Sequence, residues 1–406
     1  MPERSRTFWE DRDKAVLRCA VLLMACSALV WLGYEFWRFF VQPEKLFGRA
    51  VVTGGIDLKL LQGIVQGWFS GIPIYSMSRY AVYPPASHLI AWPLVGWPGY
   101  AASSLLWTAV TLLSLAFLVM VFVRESGARN SLERVFAGLI PLAAYPAGAV
   151  IGNGQLTIVV TASVVSCLLL LAKGKEGWRT DLAAAVLFLV ALVKPHVAAP
   201  FFWIAFFVPG RVRPALLIAG GYCAMTIIAA SWQDAGIITL MADWLANGTT
   251  TTAGIGYAHL HTSSGLSGAV LVLGALGAFV YSCRRADIWL LIGVTALIAR
   301  FWTYHQWYDD LLILLPLLAL FRVAKSAACP AAIALQAGSI LGACMVLMLA
   351  PGGHFTLPSP WLIVYQSVLV AVWLIMLAFL VRLTWQGRKK VPEGAVPLSE
   401  ITVSMP

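Results

Sequence analysis

The sequence predicts an all-α polytopic transmembrane helical bundle. Three observations lead to it. The 406 residues are 60% apolar and only 11% charged, with a mean hydropathy of +0.82, whereas soluble domains carry roughly 25% charged residues. Apolar runs of about 17 residues or more, long enough for a helix to cross the hydrocarbon core, recur from end to end. Those runs lack the period-two alternation of a closed barrel, the other structure that satisfies its own backbone inside a bilayer. No internal repeat, low-complexity tract or soluble domain is visible. The seven cysteines fall in or beside apolar runs, as small buried residues do, and give no disulfide framework or metal signature. A net charge of +10 in such a chain marks cytoplasmic loops and not a nucleic-acid surface.

The elements follow in order. Residues 1–14 are charged and read as a cytoplasmic N-terminus. The run Ala15–Phe40 exceeds the short core of a signal peptide, so it is an uncleaved first span. Residues 41–99 form an outer loop centred on the polar stretch Gly54–Pro93. Within it, the run after Asp57 puts Leu60, Leu61, Ile64, Val65 and Trp68 on one face and Lys59, Gln62 and Gln66 on the other. That pattern is an amphipathic helix lying in the interface. His88–Gly99 is apolar but short and rich in Pro and Gly, which suggests a re-entrant or interfacial piece. Tyr100–Val123 is the second span. Further runs are Val135–Ile151, Leu156–Ala172, Leu182–Val193, Val197–Val208, Ala215–Ala230, Leu266–Tyr281, Ile288–Ala299, Leu311–Phe321, Ala331–Ala350 and Trp361–Val381. The expected count is about twelve spans over residues 15–382, followed by a cytoplasmic tail over residues 383–406.

Charge orders the loops. With the N-terminus inside and strict alternation, the 28 basic residues divide 21 to 7 in favour of the inner segments, which is the positive-inside pattern. Both termini are then cytoplasmic. Several runs are short for a full crossing and pair around Lys194-Pro195-His196 and around Arg300–Asp310. Short paired runs carry their connecting polar residues below the outer surface, into a cavity of protein or water. On this topology Asp57, Tyr83-Pro84-Pro85, Gly152–Gln155, Lys194-Pro195-His196, His259, His261, His305–Asp310 and His354 all face outward. Chemistry is expected there, away from ATP and sugar nucleotides.

Each candidate has two readings. Asp57 is either the N-cap of its helix or a carboxylate that accepts a proton from a hydroxyl. Lys194 is a lone cation between apolar runs, which marks function by default, although a lysine at a helix end also snorkels. Arg300 and His305 join it as candidates for a phosphate site, with a helix-end anchor as the alternative for Arg300. Asp309 and Asp310 open an apolar run, where at least one N-cap is expected. The spacing of His259, His261, His305 and His354 matches no standard metal signature, so no metal and no other cofactor is expected. Tyr83-Pro84-Pro85 and Gly152–Gln155 are turn chemistry whose polar groups are also suited to sugar hydroxyls.

Taken together, Asp57 before an amphipathic helix, Gly71–Tyr75 as G-x-P-I-Y, Tyr83-Pro84-Pro85, Gly154-Gln155, Lys194-Pro195 and His305-x-x-Tyr308-Asp309 resemble glycosyltransferase family 87. The resemblance runs from about residue 50 to 320. It implies an integral-membrane enzyme of GT-C type in the plasma membrane, acting on the outer face of a cell envelope. The implied donor is a polyprenyl-phosphate sugar, with mannose the expected sugar, and the acceptor is a hydroxyl on a lipid or glycan. By match, Asp57 is the catalytic base, with His305 beside it. Lys194 and Arg300 are expected at the donor phosphate, and Tyr83, Gln155, Tyr308 and Asp309 around the sugar or acceptor. A single phosphate leaving group needs no divalent metal if side-chain cations stabilise it, and in-line attack implies inversion. The competing readings are a lipid-linked glycan flippase, which would want repeats and midplane charges, and a glycan ligase moving a preassembled chain.

Overall fold

With so few charged residues to solvate a surface, the chain satisfies its backbone internally, as helix. The computed structural model describes residues 3–42, 45–46, 49–50, 53–252 and 266–388. Apart from a two-residue ladder, Lys45–Leu46 against Arg49–Ala50, the described elements are helices. Five are long and apolar enough to cross a bilayer: Lys14–Val41, Tyr100–Glu125, Arg213–Ala230, Ala331–Met348 and Trp361–Gly387. Tyr145–Asn153 and Thr157–Lys173, bent by 119° at their junction, make a sixth if counted as one broken span. Length and composition therefore account for five or six crossings, against the twelve expected. The other apolar runs are also helical but shorter, such as Pro195–Phe207 and Ile288–Phe301. One reason is plain at Leu311–Phe321, where every residue is buried inside the protein. A helix that is apolar all round can be a core element as well as a lipid-facing one.

The expected span Val135–Ile151 is two helices, Ser131–Ala143 and Tyr145–Asn153. Ala144 between them is extended, and Pro146 sits in the first turn of the second helix, where its missing N–H costs nothing. The Ala143 carbonyl freed at this break accepts from Ala350 N at 2.9 Å.

The helix Tyr100–Glu125, 26 residues and about 39 Å long at 1.5 Å per residue, separates two polar ends. At its start, Tyr100 hydroxyl meets Gln42 Nε2 at 3.3 Å, close to the loop that carries Asp57. At its other end Glu125 pairs with Lys173 at 2.6 Å and accepts from Trp289 Nε1 at 3.0 Å. Nearby pairs join Arg322 to Asp287 at 3.1 Å and Lys325 to Glu133 at 2.8 Å. Segments far apart in sequence thus meet at one end of this helix.

The amphipathic helix is Ile56–Phe69. It docks on Pro85–Val95, and its polar face is engaged as well as its apolar one. Gln62 is buried and donates to the Pro98 carbonyl at 2.9 Å and to Ser103 Oγ at 3.1 Å. Cys167, Cys283 and Cys344 are buried as expected, whereas Cys19, Cys26 and Cys223 lie on helix surfaces.

Candidate active site

Three chain breaks build the site. The first follows Tyr145–Asn153. Gly154, at φ 75°, ends that helix in the left-handed conformation, for which glycine has no steric cost. The chain reverses there and presents Gln155 and Thr157. The second is at Lys194, which precedes Pro195 and is held at φ −120°, ψ 80°, the extended bias imposed on a residue before proline. The third opens the 3₁₀ segment Trp307–Ile313, where Gln306 and Asp309 form a capping box.

These breaks converge on a cavity of about 580 Å³. Asp57, Tyr83, Gln155, Lys194, Tyr308 and Asp309 all line it. Lys194 Nζ donates to Asp309 Oδ1 at 2.7 Å, Thr157 Oγ1 at 2.9 Å and Gln155 Oε1 at 3.2 Å. Thr157 Oγ1 in turn donates to Asp309 Oδ1 at 2.9 Å. Gln155, which accepts from Lys194, lines the cavity together with Asp57 of the first loop. The Tyr308 ring lies 5.0 Å from Lys194 Nζ, and Tyr83 stacks on His196 with centroids 6.1 Å apart. Leu60, Leu61, Ile64, Val82 and Leu245 supply an apolar wall.

The two carboxylates differ in character. Burial raises the Asp57 carboxyl above its ordinary value, only partly offset by the Gln155 hydrogen bond and the Lys194 charge. Burial also acts on Asp309, but the adjacent Lys194 ammonium and the His305 ring overcome it and hold that carboxyl well below the usual range. Asp57 is therefore the carboxylate suited to take a proton, and Asp309 the permanent counter-ion. Asp57 is not the cap of its helix. Gly55 holds that place, with φ 68° and no side-chain cap. Gly55 N donates instead to the Gly152 carbonyl at 2.9 Å, tying the Asp57 loop to the Gln155 turn.

Two expected site residues do not line the cavity. Arg300 is buried away from it and pairs with Asp310 Oδ1 at 2.5 Å, while Asp310 Oδ2 accepts from the Tyr145 hydroxyl. His305 is fully buried behind Asp309, with Nδ1 3.5 Å from Asp309 Oδ2. His259 and His261 lie outside the described residues. Among the described residues, His196, His305 and Asp309 each offer a ligand atom, all within 4.8 Å of one another, so this trio could hold a metal ion.

Other contributors were not singled out as site residues from sequence. His196 lines the cavity, and its only sequence signal is its place after Lys194-Pro195. Thr157 reads as one polar residue near the start of the apolar run Leu156–Ala172. Trp244, on the helix Ile237–Thr252, donates from Nε1 to the Val82 carbonyl at 2.8 Å and closes one side of the cavity. Arg38 donates to Asn153 Oδ1 at 3.0 Å and to Glu35 at 2.7 Å, bracing the turn before Gln155 from the first helix.

The model of Glycosyltransferase family 87 matches residues 81–327, more than half of the chain. The chain belongs to glycosyltransferase family 87. A member of this family with multiple apolar helices is a membrane glycosyltransferase. No curated protein and no solved structure matches the chain. Five of the six cavity residues expected from sequence fall inside the family match. Asp57 falls before it, and its loop is tied to the site by the bond from Gly55 N to the Gly152 carbonyl.

Proposed function

We propose that this family 87 enzyme, with a GT-C type of architecture, transfers a single hexose, mannose by resemblance, from a polyprenyl-phosphate donor. The acceptor is a hydroxyl of a lipid or glycan at the outer face of the plasma membrane, and both termini are cytoplasmic. One observation carries the reading: a carboxylate with a raised pKa and a buried ammonium share one cavity.

Asp57 takes the proton of the acceptor hydroxyl as that oxygen attacks C1 of the sugar. The C1–O bond to the phosphate breaks as the new C1–O bond forms, on the opposite face, with inversion. Lys194 places positive charge beside the departing phosphate in a site shielded from bulk water. Tyr83, Gln155, Tyr308 and Asp309 surround the sugar, and His305 backs Asp309. The apolar wall from Leu60 to Ile64 suits the first units of a prenyl chain. Holding donor and acceptor in one cavity adds the advantage of orientation.

The test is transfer of radiolabelled mannose from polyprenyl-phosphate mannose by purified protein, with membrane lipid extract as acceptor. Wild type is expected to give labelled product, and Asp57→Asn to lower turnover by about 10²–10⁴-fold. Product formed equally by both would remove Asp57 as the base.

A further inference from the structure

The ammonium in this cavity is fully engaged. A lysine offers three N–H donors, and those of Lys194 already meet Asp309, Thr157 and Gln155. It has no proton left for a phosphate oxygen without giving up one of these partners. The charges point the same way. With Asp57 ready to act as base, two carboxylates face one ammonium, and a phosphodiester donor brings a third negative charge. Arg300 does not help, because its guanidinium pairs with Asp310 away from the cavity. Buried charge without a counter-ion is costly, so a donor anion calls for a further cation.

A place for that cation adjoins the phosphate region. His196 Nε2 is 3.9 Å and His305 Nδ1 3.5 Å from Asp309 Oδ2. These gaps are long for hydrogen bonds but close to the spacing of about 3.4 Å between ligands of a tetrahedral ion bound at 2.0–2.2 Å. The fully buried ring of His305 has no hydrogen bond at either nitrogen, a costly state for a polar group that metal ligation would end. Asp309 divides its labour: Oδ1 accepts from Lys194 and Thr157, while Oδ2 accepts from Gln306 N at 3.3 Å and faces the two imidazoles. His196 lines the cavity, so an ion held by the three would keep an open side toward bound substrate.

We propose that His196, His305 and Asp309 bind one divalent transition metal ion, whose open position takes an oxygen of the donor phosphate. Two imidazoles and one carboxylate favour an ion of the zinc, cobalt or manganese class over calcium or magnesium. The ion would take no part in the exchange of C1–O bonds; it would only accept a lone pair from a phosphate oxygen. The binding stands on geometry alone, while its partner, the phosphate, rests on the transferase reading.

The experiment uses full-length, tag-free protein in detergent, stripped with chelator and titrated with Co²⁺ in the absence of any sugar donor. The visible absorption of bound Co²⁺ reports uptake and coordination. Wild type is expected to take up one equivalent, His196→Ala and His305→Ala to bind at least about tenfold more weakly, and His354→Asn to bind as wild type. His305→Cys retains a ligand at that position and is expected to show a sulfur-to-cobalt charge-transfer band. No stoichiometric uptake by wild type, or equal uptake by both alanine variants, overturns the site. A stripped enzyme that transfers sugar at the full rate removes the phosphate role while leaving the transferase standing. Failure of transfer with every donor would leave the Co²⁺ titration unaffected, so the two readings fail separately.

Discussion

Lys194 Nζ lies 2.7 Å from Asp309 Oδ1, and both side chains are buried to within 2% of full enclosure. The pair therefore fixes the floor of the cavity, and each member's charge is tolerable only because of the other.

Breaking that pair is expected to damage folding and activity together. Lys194→Met or Asp309→Asn alone leaves one buried charge or donor unmatched, and removing one partner of a buried ion pair costs about 3–5 kcal/mol. Replacing both by apolar residues is expected to recover much of the stability but none of the transfer. Thermal unfolding in detergent beside product formation separates these outcomes. A double variant as unstable as the singles would show that packing, not charge, dominates there.

The raised pKa of Asp57 gives a pH signature of known sign. As a base, Asp57 works deprotonated, so turnover is expected to fall as pH drops through a value above the ordinary 3.8. Stability runs the other way. A carboxyl raised in the folded state favours folding while protonated, and that contribution is lost as pH rises through the folded value. Asp57→Asn is therefore expected to melt higher than wild type at neutral pH, with the gap closing in acid. Melting curves across pH check this, and a variant melting lower at neutral pH would refute it.

Gly154→Ala should disable the site from behind. At φ 75° an alanine is strained by roughly 1–2 kcal/mol, and its Cβ would lie 2.7 Å from Leu58 Cβ. Leu58 adjoins Asp57, so the clash pushes the base away from Gln155. We expect a lower melting temperature and a loss of turnover of at least about tenfold, since small misplacements of catalytic groups are costly. Gly63→Ala, where nothing lies within 4 Å of the added carbon, serves as the neutral comparison.

Arg300 separates a structural cation from a functional one. Arg300→Lys keeps the charge but loses the guanidinium geometry toward Asp310, a change worth about 1–3 kcal/mol for a buried group. Melting temperature is expected to fall while the KM for donor stays within about twofold. A large rise in KM with unchanged stability would return Arg300 to the phosphate.

The legible part of the site was whatever interrupted an apolar run. Asp57, Gln155, Lys194 and Asp309 stood out because each is a polar residue that hydrocarbon would exclude. Which of two neighbouring acids faces the cavity was not legible. Asp309 and Asp310 are adjacent and chemically identical, and both follow Arg300 and His305 within ten residues. The 3₁₀ segment Trp307–Ile313 turns about 120° per residue, so one carboxylate meets Lys194 and the other Arg300. The number of crossings was not legible either: among the described residues, length and composition account for five or six of the twelve expected. Apolar length alone does not separate a helix facing lipid from one such as Leu311–Phe321, enclosed by its own protein.

The Lys194–Asp309 pair spans 115 residues of sequence, and this sets an order for biogenesis. Lys194 leaves the ribosome long before its counter-ion exists. Until residue 309 has been inserted, the nascent membrane chain carries an orphan cation between apolar helices, a state that insertion machinery or water must shelter. A chain stopped anywhere in that interval would lack the carboxylate that pairs with Lys194.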